Sequence, residues 1–348
     1  MAMKESKTIR ATVANLVKVL APRNRDIITR RFGLQTGERE TLESIGQSYS
    51  ITRERVRQIE EFTKTHLIKA IVESKDVANY ANTISKFLSS EGGIASEHRL
   101  FQEFSGNHNP SVANASLSFL LTMAGGLVHS EDNDRFESFW ALSKKHADDF
   151  RSAADRLTEI FSKHSKPVAV ASLASFVTSN GASYSAQYLD TILAISKDTG
   201  RNIFGEVGLV SWAEVSPKGV RDKAYLVMQR EGKPQHFTNI AKLIAQARFD
   251  DAKRVNIQTV HNELIKDKRF VLVGRGMYGL SEWGYKPGTV KDVLVDILKS
   301  SRQPITKADL VAKVLNVRMV KENTILLNLQ DSSSFTKNDD GTYEVRKA

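Results

Sequence analysis

Hydrogen-bonding side chains are dense in the short segment TRERVRQ. Arginine can fork onto the acceptor edge of guanine, glutamine can pair with adenine, and glutamate can accept from cytosine. These residue types within two helical turns are typical of the second helix of a helix-turn-helix, which enters the major groove of DNA. The candidate DNA-binding residues are Thr52, Arg53, Glu54, Arg55, Arg57 and Gln58.

The stretch from Thr41 to Glu60 predicts the two helices that would position these side chains. Leu42, Ile45 and Tyr49 recur at intervals of three and four residues, as on the apolar face of an amphipathic helix. Thr52 follows the turn-forming sequence GQSYS and can cap a second helix.

The second predicted helix buries Val56 and Ile59, which leaves its charged and amide side chains facing solvent. Upstream, the sequence predicts helices over residues 12–20 and 23–32, with Gly33 ending the latter. Together these elements would form a compact helical DNA-binding domain.

This region resembles region four of bacterial primary sigma factors, the sigma-70-like module that reads the −35 promoter element. The resemblance rests on TLESIG, ITRERVRQIE and the upstream LAPRNRDIITRRFGL. It implies that Arg53, Glu54 and Gln58 contact bases, and that Arg55 and Arg57 contact bases or phosphates. It also implies association with the bacterial RNA polymerase core, through its flap region.

One position departs from the family's pattern. Phe62 stands two residues after Glu60, where the family usually has a basic residue. The family's regions that bind the −10 element and melt DNA have no counterpart ahead of the motif, so we expect a chain that does not open promoters alone. The alternative interpretation of TRERVRQ is a solvated, charged helix face.

Composition indicates a globular protein of several domains. The 348 residues are enough for about two to four domains, and 41% of them are hydrophobic. The chain contains no cysteine, which excludes disulfides and thiolate metal sites. No apolar run approaches the ~18 residues of a membrane span. We therefore expect a cytoplasmic, nucleoid-associated protein that binds no membrane.

The net charge of +10 is unevenly distributed. Residues 1–75 carry +6, residues 216–283 carry +6 and residues 284–348 carry +3, whereas residues 76–215 carry −5. Two basic ends favour contact with a polyanion such as double-stranded DNA, and the acidic middle favours contact with protein.

A repeat follows the helix-turn-helix. The segments SKPVAVASLASFV, GKPQHFTNIAKLI and RQPITKADLVAKV share a proline with an apolar residue six positions before it and another six positions after it. These sets are Phe161, Pro167 and Leu173; Met228, Pro234 and Ile240; and Leu298, Pro304 and Leu310. Each unit ends on a predicted aromatic-led strand, at Trp212, Tyr278 and Tyr343, and a looser unit ends at Trp140.

Helices followed by a β-hairpin that closes on an aromatic residue are typical of a winged helix. We predict a mainly α fold with small β-wings, in which an N-terminal helix-turn-helix domain precedes tandem winged-helix domains. The predicted domains are a helix-turn-helix at 1–75 and winged helices at 76–145, 146–216, 217–285 and 286–348.

The third of these winged helices carries a second resemblance. HFTNIAKLI, TVHNELIKD and RFVLVGRGMYGLSEWG are similar to the HARE-HTH domain, a winged helix of the RNA polymerase delta subunit and of chromatin- and restriction-associated proteins. The resemblance implies association with nucleic acid or polymerase. His261 and Asn262 would then face a groove, with a solvated helix face as the alternative. Gly274 and Gly276 would allow a tight wing turn with Arg275 at its tip.

No enzyme is indicated. The eight histidines form no HxxxH or HExxH pair, and no Walker-type loop is present. The acidic cluster Glu131, Asp132 and Asp134 is interpreted as a solvated wing tip rather than a metal site. We expect no cofactor and no small-molecule substrate. Two functions follow: a sigma-like regulator that reads a −35-type element, or a polymerase- or nucleoprotein-bound scaffold without sequence preference.

Overall fold

The structure is a computed structural model that describes residues 2–249, 255–285, 287–301 and 303–346, with side chains from residue 8 onward. It is mainly helical, with small antiparallel sheets. The chain divides into two compact units, Met1–Arg201 with Gly205–Val210 and Asn202–Phe204 with Ser211–Ala348. Within the described ranges, no helix is long and apolar enough to cross a membrane.

Four helices form the N-terminal part of the first unit: α1 (Ala2–Val17), α2 (Pro22–Phe32), α3 (Leu42–Tyr49) and α4 (Arg53–Glu73). The predicted α2 is confirmed, with proline in its first turn and a left-handed Gly33 after its end. α1 differs from the prediction, since it begins at Ala2 rather than at residue 12 and ends at Val17 rather than at residue 20. Its early start follows from the good helix formers in AMKESK.

Four segments then repeat one order of elements: helix, strand, two helices and a two-stranded hairpin. The first contains α5 (Lys75–Ser90), β1 (Ile94–Ser96), α6 (Glu97–Ser105), α7 (Val112–Ala124), β2 (Val128–Ser130) and β3 (Phe139–Ala141). The second contains α8 (Lys144–His164), β4 (Val168–Ala169), α9 (Leu173–Ser179), α10 (Ala186–Ile195), β5 (Thr199–Arg201) and β6 (Glu206–Leu209).

The third segment contains α11 (Val220–Glu231), β7 (Gln235–His236), α12 (Phe237–Ala247), α13 (Ile257–Lys266), β8 (Phe270–Gly274) and β9 (Met277–Leu280). The fourth contains α14 (Val290–Ser301), β10 (Ile305–Thr306), α15 (Lys307–Val317), α16 (Glu322–Leu329), β11 (Phe335–Lys337) and β12 (Thr342–Val345). In every segment the last strand is the middle one of a three-stranded antiparallel sheet.

The proline repeat marks the start of three of these sheets. Pro167, Pro234 and Pro304 each directly precede the first strand, and the apolar residues six positions away on either side are buried. The predicted strand at Trp212 is wrong, because Trp212 lies in a turn beyond the end of β6. β5 is only three residues long and its ladder with β6 is complete when Thr199 pairs with Leu209.

The N-terminal helices and the first repeated segment share one hydrophobic core. Val13 of α1 and Leu67 of α4 are buried in the same cluster as Leu117 of α7. The ring of Phe119 on α7 packs edge-on against Phe32, with 5.0 Å between ring centroids. α1, part of α2 and the later turns of α4 therefore bury apolar surface against the first repeated segment, and the predicted boundary after residue 75 does not separate two cores.

The third and fourth segments have hydrophobic cores of their own, and a backbone contact joins them. The Met319 N–H donates to the Val273 carbonyl at 2.8 Å. A Cβ atom on Gly274 would lie 2.6 Å from the Met319 carbonyl oxygen. Gly274 is thus required by this close approach, and of the two predicted turn glycines only Gly276 has a positive φ, of 68°.

Candidate nucleic-acid interface

The first two turns of α4 present the predicted DNA-binding side chains at the surface. Thr52 caps the helix, because its Oγ1 accepts a hydrogen bond from the Arg55 backbone N–H at 3.2 Å. The exposed residues are Arg53, Glu54, Arg55, Arg57 and Gln58. The predicted helix-turn-helix, with a polar outer face on its second helix, is confirmed.

Burial determines which face of α4 is free. Val56 has 0% of its surface exposed and packs with Ile27 of α2 and Ile45 of α3. Ile59, one turn further, is half-buried against the same cluster. Residues three or four positions apart share a helix face, so the polar side chains between these two anchors are directed away from the core.

The turn between α3 and α4 depends on a close backbone approach. A Cβ atom on Gly46 would lie only 2.7 Å from the Ile51 carbonyl oxygen. Ser50 ends α3 in the left-handed conformation, with φ of 53°, which costs a residue other than glycine about 1–2 kcal/mol. This turn fixes the angle between α3 and α4.

Ion pairs away from the outer face of α4 hold α2 against the helix-turn-helix. Arg30 donates to both oxygens of Glu40, from Nε at 2.9 Å and from Nη2 at 2.7 Å. The Arg30 guanidinium lowers the pKa of the Glu40 carboxyl. The buried Glu60 accepts from Arg31 Nε at 3.1 Å and pairs with Lys64 Nζ at 2.7 Å. Arg30, Arg31 and Lys64 therefore stabilise the packing of the helices, a role that the sequence motif does not predict.

Two side-chain pairs order the polar groups along α4 itself. Arg57 donates to both oxygens of Glu54, at 3.0 Å from Nε to Oε2 and 2.8 Å from Nη2 to Oε1. Its hydrogen bonds lower the pKa of the Glu54 carboxyl. Arg55 Nη1 donates to Gln58 Oε1 at 3.1 Å. Exposed pairs of this kind contribute little to stability, so little stability is lost when they are exchanged for base or phosphate contacts.

Phe62 lies one turn beyond Gln58 and is also exposed. Phe62 is 57% exposed, and its ring contacts the His66 ring at a tilted angle, with 4.2 Å between ring centroids. A large aromatic side chain on the polar face of α4 is not required by the fold.

The predicted residues of the third segment divide into two groups. His261 is half-buried and stacks on Phe237, with 4.4 Å between ring centroids. Asn262 and Arg275 are exposed, the first on α13 and the second at the turn between β8 and β9. Packing therefore holds the His261 ring, while Asn262 and Arg275 are accessible to a partner.

The helix equivalent to α13 in the first segment is α7, and it is buried. Every residue from Asn114 to Leu121 is buried, and so is Met123. Such a helix cannot enter a DNA groove. Its sequence VANASLSFLLTMA predicts this burial, since a helix that is apolar all round belongs in a core.

Within the described residues, no group of three or more His, Asp or Glu side chains could hold a metal ion. In the acidic cluster of the β2–β3 connection, Asp132 pairs with Lys197 Nζ at 2.8 Å. The Lys197 ammonium lowers the pKa of the Asp132 carboxyl.

Comparison with known proteins identifies the N-terminal domain. The family described as sigma-70, region 4 matches residues 16–67. Residues 16–67 thus carry a sigma-70 region 4 domain. Within this domain α4 is the second helix of the helix-turn-helix.

Curated relatives match the same part of the chain. RNA polymerase sigma factor SigA of Microcystis aeruginosa is 48% identical over 52 residues, 15% of this chain and 12% of that relative. SigA of Synechocystis sp. gives the same figures. The chloroplastic RNA polymerase sigma factor sigF of Arabidopsis thaliana is 37% identical over 76 residues, 22% of this chain and 14% of that relative. The chain spans well under a fifth of the length of these relatives.

Proposed function

We propose that this protein is a sequence-specific transcription regulator that reads a −35-type promoter element through α4. The observation that carries the proposal is the free polar face of Arg53 to Gln58, held by a capped helix inside a sigma-70 region 4 domain. Arginine and glutamine there can make bidentate contacts to guanine and adenine. The proposal assigns the chain no catalysis and no cofactor.

Association with RNA polymerase is the second part of the proposal. The relatives of the N-terminal domain are sigma factors of RNA polymerase, and we propose the polymerase core, at its flap region, as the protein partner. The repeated segments are proposed to be winged helices, the third of them of the HARE-HTH kind, with Asn262 and Arg275 available for contact. They would add nucleic-acid or polymerase contacts.

Selection from a pool of random duplexes at about 150 mM salt tests the reading of DNA, because high salt suppresses non-specific binding. The full chain should enrich a TTGACA-like motif. The double variant Arg53→Ala/Gln58→Ala should lose that enrichment, since each bidentate base contact contributes about 1–3 kcal/mol of discrimination.

A matched control is Arg39→Ala/Gln47→Ala, which removes the same side-chain types from exposed positions outside α4. This control should enrich the same motif as the unchanged chain. A selected motif that survives in the Arg53→Ala/Gln58→Ala protein would refute the assignment of these side chains to base contact.

A scaffold without sequence preference is the second candidate. It is favoured by Ile257 and Ile265, which are 46% and 63% exposed on α13 where a groove-reading helix would carry polar groups. Under this function the selected pool stays flat, while core polymerase is retained equally by the full chain and by its Arg53→Ala/Gln58→Ala variant.

A further inference from the structure

The position of Phe62 on α4 places it in line with the candidate base-reading side chains. It follows Gln58 by four residues and Arg55 by seven, spacings that keep side chains on one face of a helix. At about 1.5 Å of rise per residue, Phe62 lies roughly 6 Å further along the axis than Gln58. A helix in the ~12 Å wide major groove therefore carries both residues toward base edges.

The chemistry of this residue differs from that of its neighbours. Arg55 and Gln58 form hydrogen bonds, whereas a phenylalanine ring offers only apolar contact. Within the major groove the four bases present one apolar group, the C5-methyl of thymine. Phe62 is 57% exposed, so burial against such a methyl would remove ring surface from water.

We propose that Phe62 is a specificity-determining residue that reads the C5-methyl group of one thymine in the bound DNA. The inference rests on the proposed function, because it requires α4 to lie in the major groove. It adds to that function a preference for thymine, or for 5-methylcytosine, at the base pair next to the one that Gln58 contacts.

The other exposed apolar side chains of α4 do not share this position. Ile68 and Val72 follow Phe62 by six and ten residues, which turns them by about 120° and 80° around the helix at 100° per residue. Val72 is 75% exposed and lies about 21 Å beyond Gln58 at 1.5 Å per residue, outside the groove width. It therefore offers a matched control for the loss of an exposed apolar side chain.

The test uses the full chain and its selected duplex, with each thymine replaced singly by deoxyuridine, which removes only the methyl group. One replacement should weaken binding about fourfold, the effect of exposing one buried methyl. Phe62→Ala should bind the thymine and deoxyuridine duplexes equally, Phe62→Leu should keep part of the discrimination, and Val72→Ala should keep all of it. Replacing the same base by 5-methylcytosine should weaken binding less than cytosine does.

Each outcome separates this inference from the proposed function. A flat selection pool overturns both. A selected motif whose affinity is insensitive to every deoxyuridine replacement, or a penalty that persists in Phe62→Ala, overturns the role of Phe62 alone. Circular dichroism of each variant before binding checks that α4 is still helical.

Discussion

At the residue scale, the helix-turn-helix is held by carboxylates that bond arginines of α2. The Glu40 carboxylate accepts two hydrogen bonds from Arg30, and it also accepts from the Ser44 hydroxyl at 3.3 Å. Arg30 holds the pKa of Glu40 below its ordinary value. A carboxyl whose pKa is depressed on folding stabilises the folded state above its unfolded pKa, and this stabilisation is lost as pH falls through the folded pKa.

The Glu40→Gln variant should therefore be less stable than the unchanged chain at pH 7. The difference should shrink as pH falls below about 4.3, the usual pKa of glutamate. Hydrogen exchange of the α3 amides measures this locally, which suits a chain of more than one compact unit. Glu43→Gln, which removes an exposed carboxylate in the first turn of α3, is the control and should differ from the unchanged chain far less at pH 7. A constant gap between Glu40→Gln and the unchanged chain from pH 7 to pH 3 would contradict the role of this pair.

At the element scale, the angle between α3 and α4 depends on how closely their backbones approach. Gly46 lies inside α3, where alanine is ordinarily the more stable residue by about 0.5–1 kcal/mol. Here a Cβ atom would meet the Ile51 carbonyl oxygen at 2.7 Å, and a backbone atom cannot turn aside as a side chain can.

The change in stability caused by Gly46→Ala should thus be opposite in sign to that of an ordinary glycine-to-alanine substitution in a helix. The substitution should destabilise the domain by about 1–3 kcal/mol, as overpacking does. It should also reduce sequence-specific DNA binding, because α4 must tilt to relieve the contact. Local hydrogen exchange in α3 and α4 measures the first effect, and binding to the selected duplex measures the second. Gln47→Ala, at the next and exposed position, should leave both unchanged. Increased protection in Gly46→Ala would show that the turn relaxes freely.

Local signals explain which elements the sequence predicts well. Pro22 and Thr52 act on the backbone next to them, so the starts of α2 and α4 follow from residue type alone. Trp212 misleads because strand pairing depends on the partner strand, and β5 begins only at Thr199, opposite Leu209. Gly274 misleads for a similar reason, since Met319, which crowds it, is distant in the sequence. The outer face of α4 is predictable, but the ion pairs of Arg30 and Arg31 behind it are not.

At the scale of the whole molecule, the helix-turn-helix is part of a larger folding unit. Apolar residues of α1 and α4 are buried together with α7, whose sequence position lies beyond residue 110. The apolar sequence of α7 predicts burial, yet nothing in it names α1 and α4 as its partners. The sigma-70 region 4 domain of this chain is consequently stabilised by a segment outside the matched residues 16–67.

A fragment of residues 1–75 should therefore be far less stable than one of residues 1–210, which spans the first compact unit. Without α7, buried side chains such as Val13 and Leu67 become exposed, and each buried aliphatic side chain accounts for roughly 1.5–3 kcal/mol. The shorter fragment should show weak helicity, a broad thermal transition and concentration-dependent association, measured by circular dichroism and sedimentation. A cooperative, monomeric 1–75 fragment would instead show that α7 packs on a domain that is already complete.

In the full chain, Phe119→Ala should cost about 3–5 kcal/mol and lower hydrogen-exchange protection in α1 and α4 as well as in α7, because these helices share one core.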